Sequence, residues 1–435
     1  MKKIVKLSLA TAMLMGMSSV QAADVSADGM SILDGVYVKG EVRPRYEMVD
    51  QDNNNNAKNP DNANALTNRL VIGVGSDSLF GTDMLGAYAE MTDVHNVNDN
   101  YNSTENGRTN HAVVADPEQT RLTQAYIDIK PIDGLLIRYG RQMINLGDQR
   151  FVGAVGWRQM PQTYDATLLS YSPTDAINLS TVWATKVNTI FADKKGTTYG
   201  NDGADTRTSL TNLSYRPSKA LDITGYAYLI GSHSDTYGAY VKGAVPVTDG
   251  IKLSYRAEYA IQTDASLENN AAGSVKPDAD SDYIHLDLGL NMSGFLVGAA
   301  YMMQSADDDN GKVGFTNKAF STPLGTNHKY GGWADQFLGT PANGLEDISV
   351  MAGYKAKGFG TFKVIAHQFQ SDENSIDYGT EIDAVYVNKI PGVKGLKGLL
   401  KFAQYDADDS ALSGNPKAAD VTKFWVMLDY KFSSK

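Results

Sequence analysis

Long stretches of this chain alternate apolar and polar residues with a period of two. From Val36 to Glu47, one face reads Val36, Val38, Gly40, Val42, Pro44 and Tyr46, and the other reads Tyr37, Lys39, Glu41, Arg43, Arg45 and Glu47. From Ile251 to Gln262, Ile251, Leu253, Tyr255, Ala257, Tyr259 and Ile261 oppose Lys252, Ser254, Arg256, Glu258 and Gln262. From Tyr283 to Leu290, Ile284, Leu286, Leu288 and Leu290 oppose Tyr283, His285, Asp287 and Gly289. Successive side chains of a strand point to opposite faces, so these are strands with one apolar and one polar face. Charges sustained along a long strand opposite an unbroken apolar face fit a membrane barrel with a wet lumen better than a sandwich in water.

Residues 1–22 read separately. Lys2, Lys3 and Lys6 form a positive start, Leu7 to Met17 an apolar core, and Val20-Gln21-Ala22 a small-residue cleavage site. This is the pattern of a secretory signal peptide, and we expect residues 23–435 to form the mature barrel. Beyond it no segment approaches 18 consecutive apolar residues, and the longest apolar run lies near Phe295 to Met303. No helical membrane span is therefore expected. The absence of Cys excludes a disulfide scaffold, thiolate metal sites and cysteine catalysis. Residues 23–435 hold 36 basic and 50 acidic side chains, a formal −14, with no clustered basic stripe, which argues against nucleic acid as a partner.

We read strands near 35–48, 65–75, 82–94, 119–130, 134–142, 163–172, 176–187, 207–216, 221–231, 235–245, 250–263, 281–290, 294–304, 346–357, 360–370, 376–389, 396–406 and 421–432. Connections after even-numbered strands are short and turn-like, such as Pro131-Ile132-Asp133-Gly134 and Val247-Thr248-Asp249-Gly250. Most connections after odd-numbered strands are long and polar, the largest about Ser305 to Leu345. This alternation describes an all-β transmembrane antiparallel barrel of about 18 strands, with short periplasmic turns and long external loops. The last strand carries Phe424, Val426, Leu428, Tyr430 and Phe432 on one face. Such a C-terminal run looks like the signal that outer-membrane proteins present to the barrel assembly machinery, although Ser433-Ser434-Lys435 follows the last Phe.

Two blocks carry a family resemblance. The first is Gly140-Arg141-Gln142, Gly147-Asp148-Gln149-Arg150-Phe151-Val152-Gly153, Trp157-Arg158-Gln159 and Tyr164-Asp165-Ala166. The second is Tyr330-Gly331-Gly332-Trp333-Ala334-Asp335-Gln336-Phe337-Leu338-Gly339, then Gly344-Leu345-Glu346-Asp347. Together they resemble the signature of the alginate-export family of outer-membrane porins. The resemblance implies an eighteen-stranded barrel in the bacterial outer membrane and an Arg-lined passage with interspersed carboxylates. Arg141 and Arg150 match its motif directly.

All 12 Arg lie at or before position 256. Parity places Arg43, Arg45, Arg69, Arg138 and Arg256 on polar strand faces. Arg141 has the wrong parity relative to Arg138, so it needs a bulge near Gly140 or a position past the strand end. Arg150 and Arg158 lie in the long loop after strand five, and narrow the pore if that loop folds inward. With Asp165 and Glu258 these arginines are the candidate pore-lining residues. Pairing with Glu41, Glu47, Glu258 and Asp165, to stiffen the wall, is the competing role. Trp157 and Trp333 are packing anchors or sugar-stacking platforms, and the many Tyr suit interfacial girdles.

Catalytic motifs are thin. None of the six His belongs to a His-Glu-x-x-His motif, and no Gly-x-Ser-x-Gly or phosphate-cradling loop occurs. Asp307-Asp308-Asp309-Asn310-Gly311 misses the EF-hand spacing and reads as a solvated loop or a weak Ca²⁺ ligand set. The expected function is passive diffusion of hydrophilic solutes, anionic ones or sugars, through a porin, without catalysis or cofactor. The alternatives are a hydrolase embedded in the outer membrane, with a Ser near His285, and a plugged surface adhesin barrel.

Overall fold

The computed structural model describes residues 25–27, 30–53, 59–191, 207–231, 233–263, 280–307, 319–408 and 417–435. The expected signal peptide lies outside these residues, as do Asp308 to Gly311. Among the described residues, eighteen strands close into one antiparallel barrel. They are β1 (Tyr37–Asn53), β2 (Ala63–Ser76), β3 (Leu85–Asn96), β4 (Gln119–Ile129), β5 (Leu135–Gln142) and β6 (Thr163–Thr174). Next come β7 (Ile177–Asn188), β8 (Thr208–Ser218), β9 (Leu221–Ile230), β10 (Ser234–Thr248), β11 (Ile251–Thr263) and β12 (Ser281–Met292). The last six are β13 (Phe295–Gln304), β14 (Leu345–Ala356), β15 (Gly360–Gln370), β16 (Asp377–Lys389), β17 (Leu396–Ala407) and β18 (Ala419–Ser433). Each pairs with its chain neighbour, and β18 pairs with β1, for example Trp425 opposite Glu47.

The wall is inside out relative to a water-soluble protein. Glu41, Arg43, Arg45, Glu47 and Arg69 are buried, whereas Val74, Met91, Leu213, Leu288, Val350 and Ile382 are exposed. Only a solvent of hydrocarbon outside and a polar interior inside make that arrangement favourable. The expected period-two faces are therefore present, and the polar one lines the lumen. The tyrosines split between the two. Tyr139, Tyr215, Tyr237 and Tyr259 face outward, while Tyr88, Tyr226, Tyr228, Tyr240, Tyr283 and Tyr405 are buried inside. Only the outward set can belong to an interfacial girdle, because the inward phenols satisfy a lumen that needs both packing volume and a polar tip.

Connections after even-numbered strands are short, as expected, with Gly134, Gly250, Gly294 and Gly358 at positive φ in four of them. After odd-numbered strands, 231–233 and 371–376 are also short. The C-terminal Ser-Ser-Lys is not loose. Ser434 N donates to Val38 O at 2.9 Å and Val38 N to Ser434 Oγ at 2.8 Å, which ties the chain end to β1. Outside the barrel, Val25–Ala27, Met30–Asp34 and Ser78–Leu79 form a small antiparallel sheet that sequence periodicity did not indicate.

Candidate functional site

The loop 143–162 folds into the lumen, and arginines of the wall hold it there by its backbone. Arg43 donates from Nη1 to Gly156 O at 2.9 Å, from Nη2 to Arg158 O at 2.5 Å and from Nε to Gln159 Oε1 at 3.0 Å. Arg45 donates from Nη1 to Trp157 O at 2.6 Å and from Nη2 to Asp116. Three consecutive loop carbonyls are thus satisfied by two guanidiniums from alternate positions of β1. The rigid donor fork of Arg suits this task better than an ammonium. Burial alone would raise the Asp116 carboxyl, but the Arg45 and Arg158 guanidiniums and the Gln159 N–H outweigh it and hold it below its usual range.

A second inward segment, 319–344, packs against the first. Gly153 N donates to Leu324 O at 2.9 Å, and Thr326 N to Gln149 O at 2.9 Å. A single 3₁₀ turn, Asn327–Lys329, follows. His328 stacks on Trp157 with ring centres 4.5 Å apart and planes 8° apart. Asp335 accepts from His328 Nδ1 at 2.5 Å, Arg158 Nη2 at 3.0 Å and Lys423 Nζ at 2.9 Å. Burial opposes ionisation of Asp335, yet the His328 N–H and the Lys423 and Arg158 cations hold its carboxyl well below the usual range. Burial pushes the His328 imidazole down to about 3, so it docks neutral.

Two wall carboxylates bind the same segment by its backbone. Trp333 N donates to Asp383 Oδ2 at 3.2 Å and Ala334 N to Glu381 Oε1 at 2.7 Å. Gly332 makes this approach possible. Its φ is +78°, and a Cβ there would lie 2.2 Å from Glu381 Oε2.

Two chambers flank these loops. The outer one, about 1010 Å³, is lined by residues at the external strand ends and by Asn327 and His328. The inner one, about 840 Å³, lies toward the periplasmic turns and is lined by Asp148, Lys242, Arg256, His285, Lys329 and Tyr330, among others. The 3₁₀ turn is the partition between them.

A family model described as alginate export matches residues 36–263. The chain belongs to the alginate export family. No curated protein sequence matches it. Among solved structures, OccAB2 of Acinetobacter baumannii is 16% identical with a TM-score of 0.68, covering 93% of this chain and 99% of that one. OpdL of Pseudomonas aeruginosa is 17% identical with a TM-score of 0.64, covering 92% and 99%. OpdK of Pseudomonas aeruginosa, solved with vanillate, is 11% identical with a TM-score of 0.65, covering 93% and 100%. These neighbours share this fold. With its closed eighteen-strand barrel, this member of the alginate export family is a porin-like barrel of the bacterial outer membrane.

The arginines expected in the pore of this alginate-export barrel divide into groups. Arg43, Arg45, Arg69, Arg138 and Arg256 are on inward faces, as parity indicated, and most have carboxylate partners. Arg69 Nε lies 3.5 Å from Glu41, and Arg138 forms a two-point pair with Asp128 at 2.7 and 2.8 Å. Arg256 pairs with Asp148 and, at 2.5 Å, with Glu258, which also accepts from the Tyr226 hydroxyl at 2.9 Å. Arg158 lies 3.2 Å from Glu47 and 3.0 Å from Asp335. Arg150 is different. It is 3% exposed, bonds the side-chain amides of Gln304 and Asn327, and has no carboxylate partner among the described residues.

Arg141 and Asp165 do not line the lumen. β5 has no bulge at Gly140, so Arg141 keeps the face of Tyr139, which is 63% exposed on the outer surface. Arg141 instead binds Asp165 at 2.7 and 2.9 Å, while neighbouring Gln142 and Tyr164 point inward. Gly140 absorbs the strain by its φ of +126°, and a Cβ there would lie 2.3 Å from Ala125 O. Trp157 and Trp333 are packing anchors rather than open platforms, because Lys401 Nζ sits 4.2 and 3.8 Å from their ring centres. His285 has Tyr283 and Tyr330 as ring neighbours.

Sequence reasoning passed over Lys401, Lys423, Glu381, Asp383, Asp335 and Lys329. Four of these are on polar strand faces late in the chain, so parity alone could have flagged them. No Arg lies beyond position 256, and in that half Lys, Asp and Glu carry the charge.

Proposed function

We propose that this barrel is a passive channel for small hydrophilic solutes with a preference for anions. The observation that carries the reading is the charge of the inner chamber. Arg216, Lys219, Lys242, Arg256 and Lys329 line it, against Asp148, Asp222 and Asp287. Lys329 Nζ bonds only the Asp148 backbone carbonyl, at 2.8 Å, among the described residues, so its charge has no direct carboxylate partner. A cation at a low-dielectric constriction acts on every ion that passes. Arg43 and Arg45 contribute less than their number suggests, because loop carbonyls and carboxylates already occupy their donors, and Arg69 shares the Glu41 carboxylate at 3.5 Å. OpdK, solved with the aromatic carboxylate vanillate, is consistent with an anionic solute for this fold.

The C-terminal face of β18 is the segment we assign to recognition by the assembly machinery. The test of the channel reading is the reversal potential of the purified protein in a planar bilayer under a salt gradient. Anion preference is expected, and cation preference would overturn it. A second reading, a barrel closed by its loops, draws on the 3₁₀ partition between the chambers, and a complete lack of conductance would favour it.

A further inference from the structure

We propose that the outer chamber is a binding site for an uncharged, polyhydroxylated solute the size of a di- or trisaccharide. The inference rests on the channel reading and adds a solute class that the inner chamber does not suggest. The charged side chains lining the outer chamber are Arg158, Asp335 and Lys423. Asp335 lies 3.0 Å from Arg158 and 2.9 Å from Lys423, and Glu47 and Asp116, shared with Arg45, bring this cluster of three cations and three carboxylates to neutrality. What faces a solute is therefore a set of amides and hydroxyls, among them Asn102, Asn110, Gln336 and Thr109.

That inventory fits a sugar better than an acid. A primary amide both donates and accepts, and so does each hydroxyl of a polyol, so every solute group finds either partner it needs. A carboxylate or phosphate only accepts and would leave the amide oxygens without a donor. Gln336 and Thr109 make no side-chain hydrogen bond within the protein among the described residues, so both are available to a solute. Phe191, Val155, Pro323 and Leu338 supply apolar surface for the C–H faces of a ring. At about 1010 Å³ the chamber is at the upper end of sizes for small-molecule sites, with room for a trisaccharide and bridging water.

The experiment uses the full barrel in oriented planar bilayers, with raffinose as the neutral trisaccharide. Raffinose on the external side should interrupt the ion current at millimolar concentration, at least fivefold more effectively than from the periplasmic side. Gln336→Leu, and separately Thr109→Val, should each raise the blocking concentration at least threefold. Equal block by polyethylene glycol of matched mass, equal block from both sides, or stronger block by glucuronate than by raffinose would overturn the assignment. If the protein does not conduct, the channel reading fails by itself. Saturation transfer from the detergent-solubilised barrel to raffinose then decides the site, and no transfer, or transfer unchanged in Gln336→Leu, would overturn it.

Discussion

Lys401 Nζ lies 3.8 Å from the ring centre of Trp333 and 2.6 Å from Nε2 of His328. Lys401 belongs to β17, and Trp333 and His328 to the inward segment that divides the lumen. Trp157, on the other inward loop, presents its ring to the same ammonium at 4.2 Å. One wall cation thus pins both loops at the partition. A desolvated cation over an aromatic face contributes about 2 kcal/mol.

Lys401→Met keeps the volume of the stem and removes the charge. We expect the barrel to fold, with heat-modifiable migration on mild-detergent gels, because strand pairing does not involve the ammonium. Loop docking should weaken by about 2 kcal/mol, roughly thirtyfold in the docking equilibrium. Single-channel records should show larger and noisier conductance than wild type. Identical traces would mean that the loops are held without this pin.

The partition should loosen in acid. His328 docks neutral, with its imidazole pushed to about 3 by burial, against an ordinary 6.5. A depressed value means that docking is strongest above pH 6.5 and weakens by about 1.4 kcal/mol for each pH unit below it, until the docked imidazole also protonates. A protonated ring would lose its acceptor for Lys401 and face that cation and Arg158 directly. Asp335 acts in the same direction at lower pH. Its depressed carboxyl stabilises docking above 3.8 and stops doing so as the pH falls through its docked value. Current noise recorded from pH 8 to pH 4 should rise below pH 6.5, and His328→Gln should flatten that rise. A profile independent of pH would show that undocking does not limit the current.

Charge selectivity separates inward from outward cations. Lys329→Gln and Arg150→Gln should each reduce the anion-to-cation permeability ratio about twofold, since both side chains carry charge without a carboxylate partner. Arg141→Gln should leave the ratio unchanged, because Arg141 and Asp165 are on the outer face. A shift from Arg141 equal to that from Lys329 would contradict the register of β5.

Topology can be read on intact cells. Tags in the turns at Asp133, Ser218 and Asp249 should be protected, and tags following Asn53 should be accessible. Sites near Gly203 and Gly311, outside the described residues, should label from outside as well. Labelling at Asp133 would invert the barrel.

The strand pattern, the turn residues and the face on which each wall arginine sits were legible in the sequence, because period-two geometry is local. Every expected strand is present among the described residues, and the largest shift of a strand end is in β1, expected over 35–48 and running five residues further, to Asn53. Parity even exposed the anomaly at Arg141, although not its resolution. The path of loops 143–162 and 319–344 was not local information. It follows from carbonyls of Gly156, Trp157 and Arg158 finding Arg43 and Arg45 more than a hundred residues away, and from Trp333 and Ala334 finding Asp383 and Glu381. Period-two patterning alone requires an amphipathic wall that closes around a polar interior. Tertiary structure decided which cations that interior neutralises and which it leaves facing a solute, because buried charge is set by partners that meet only when the barrel closes.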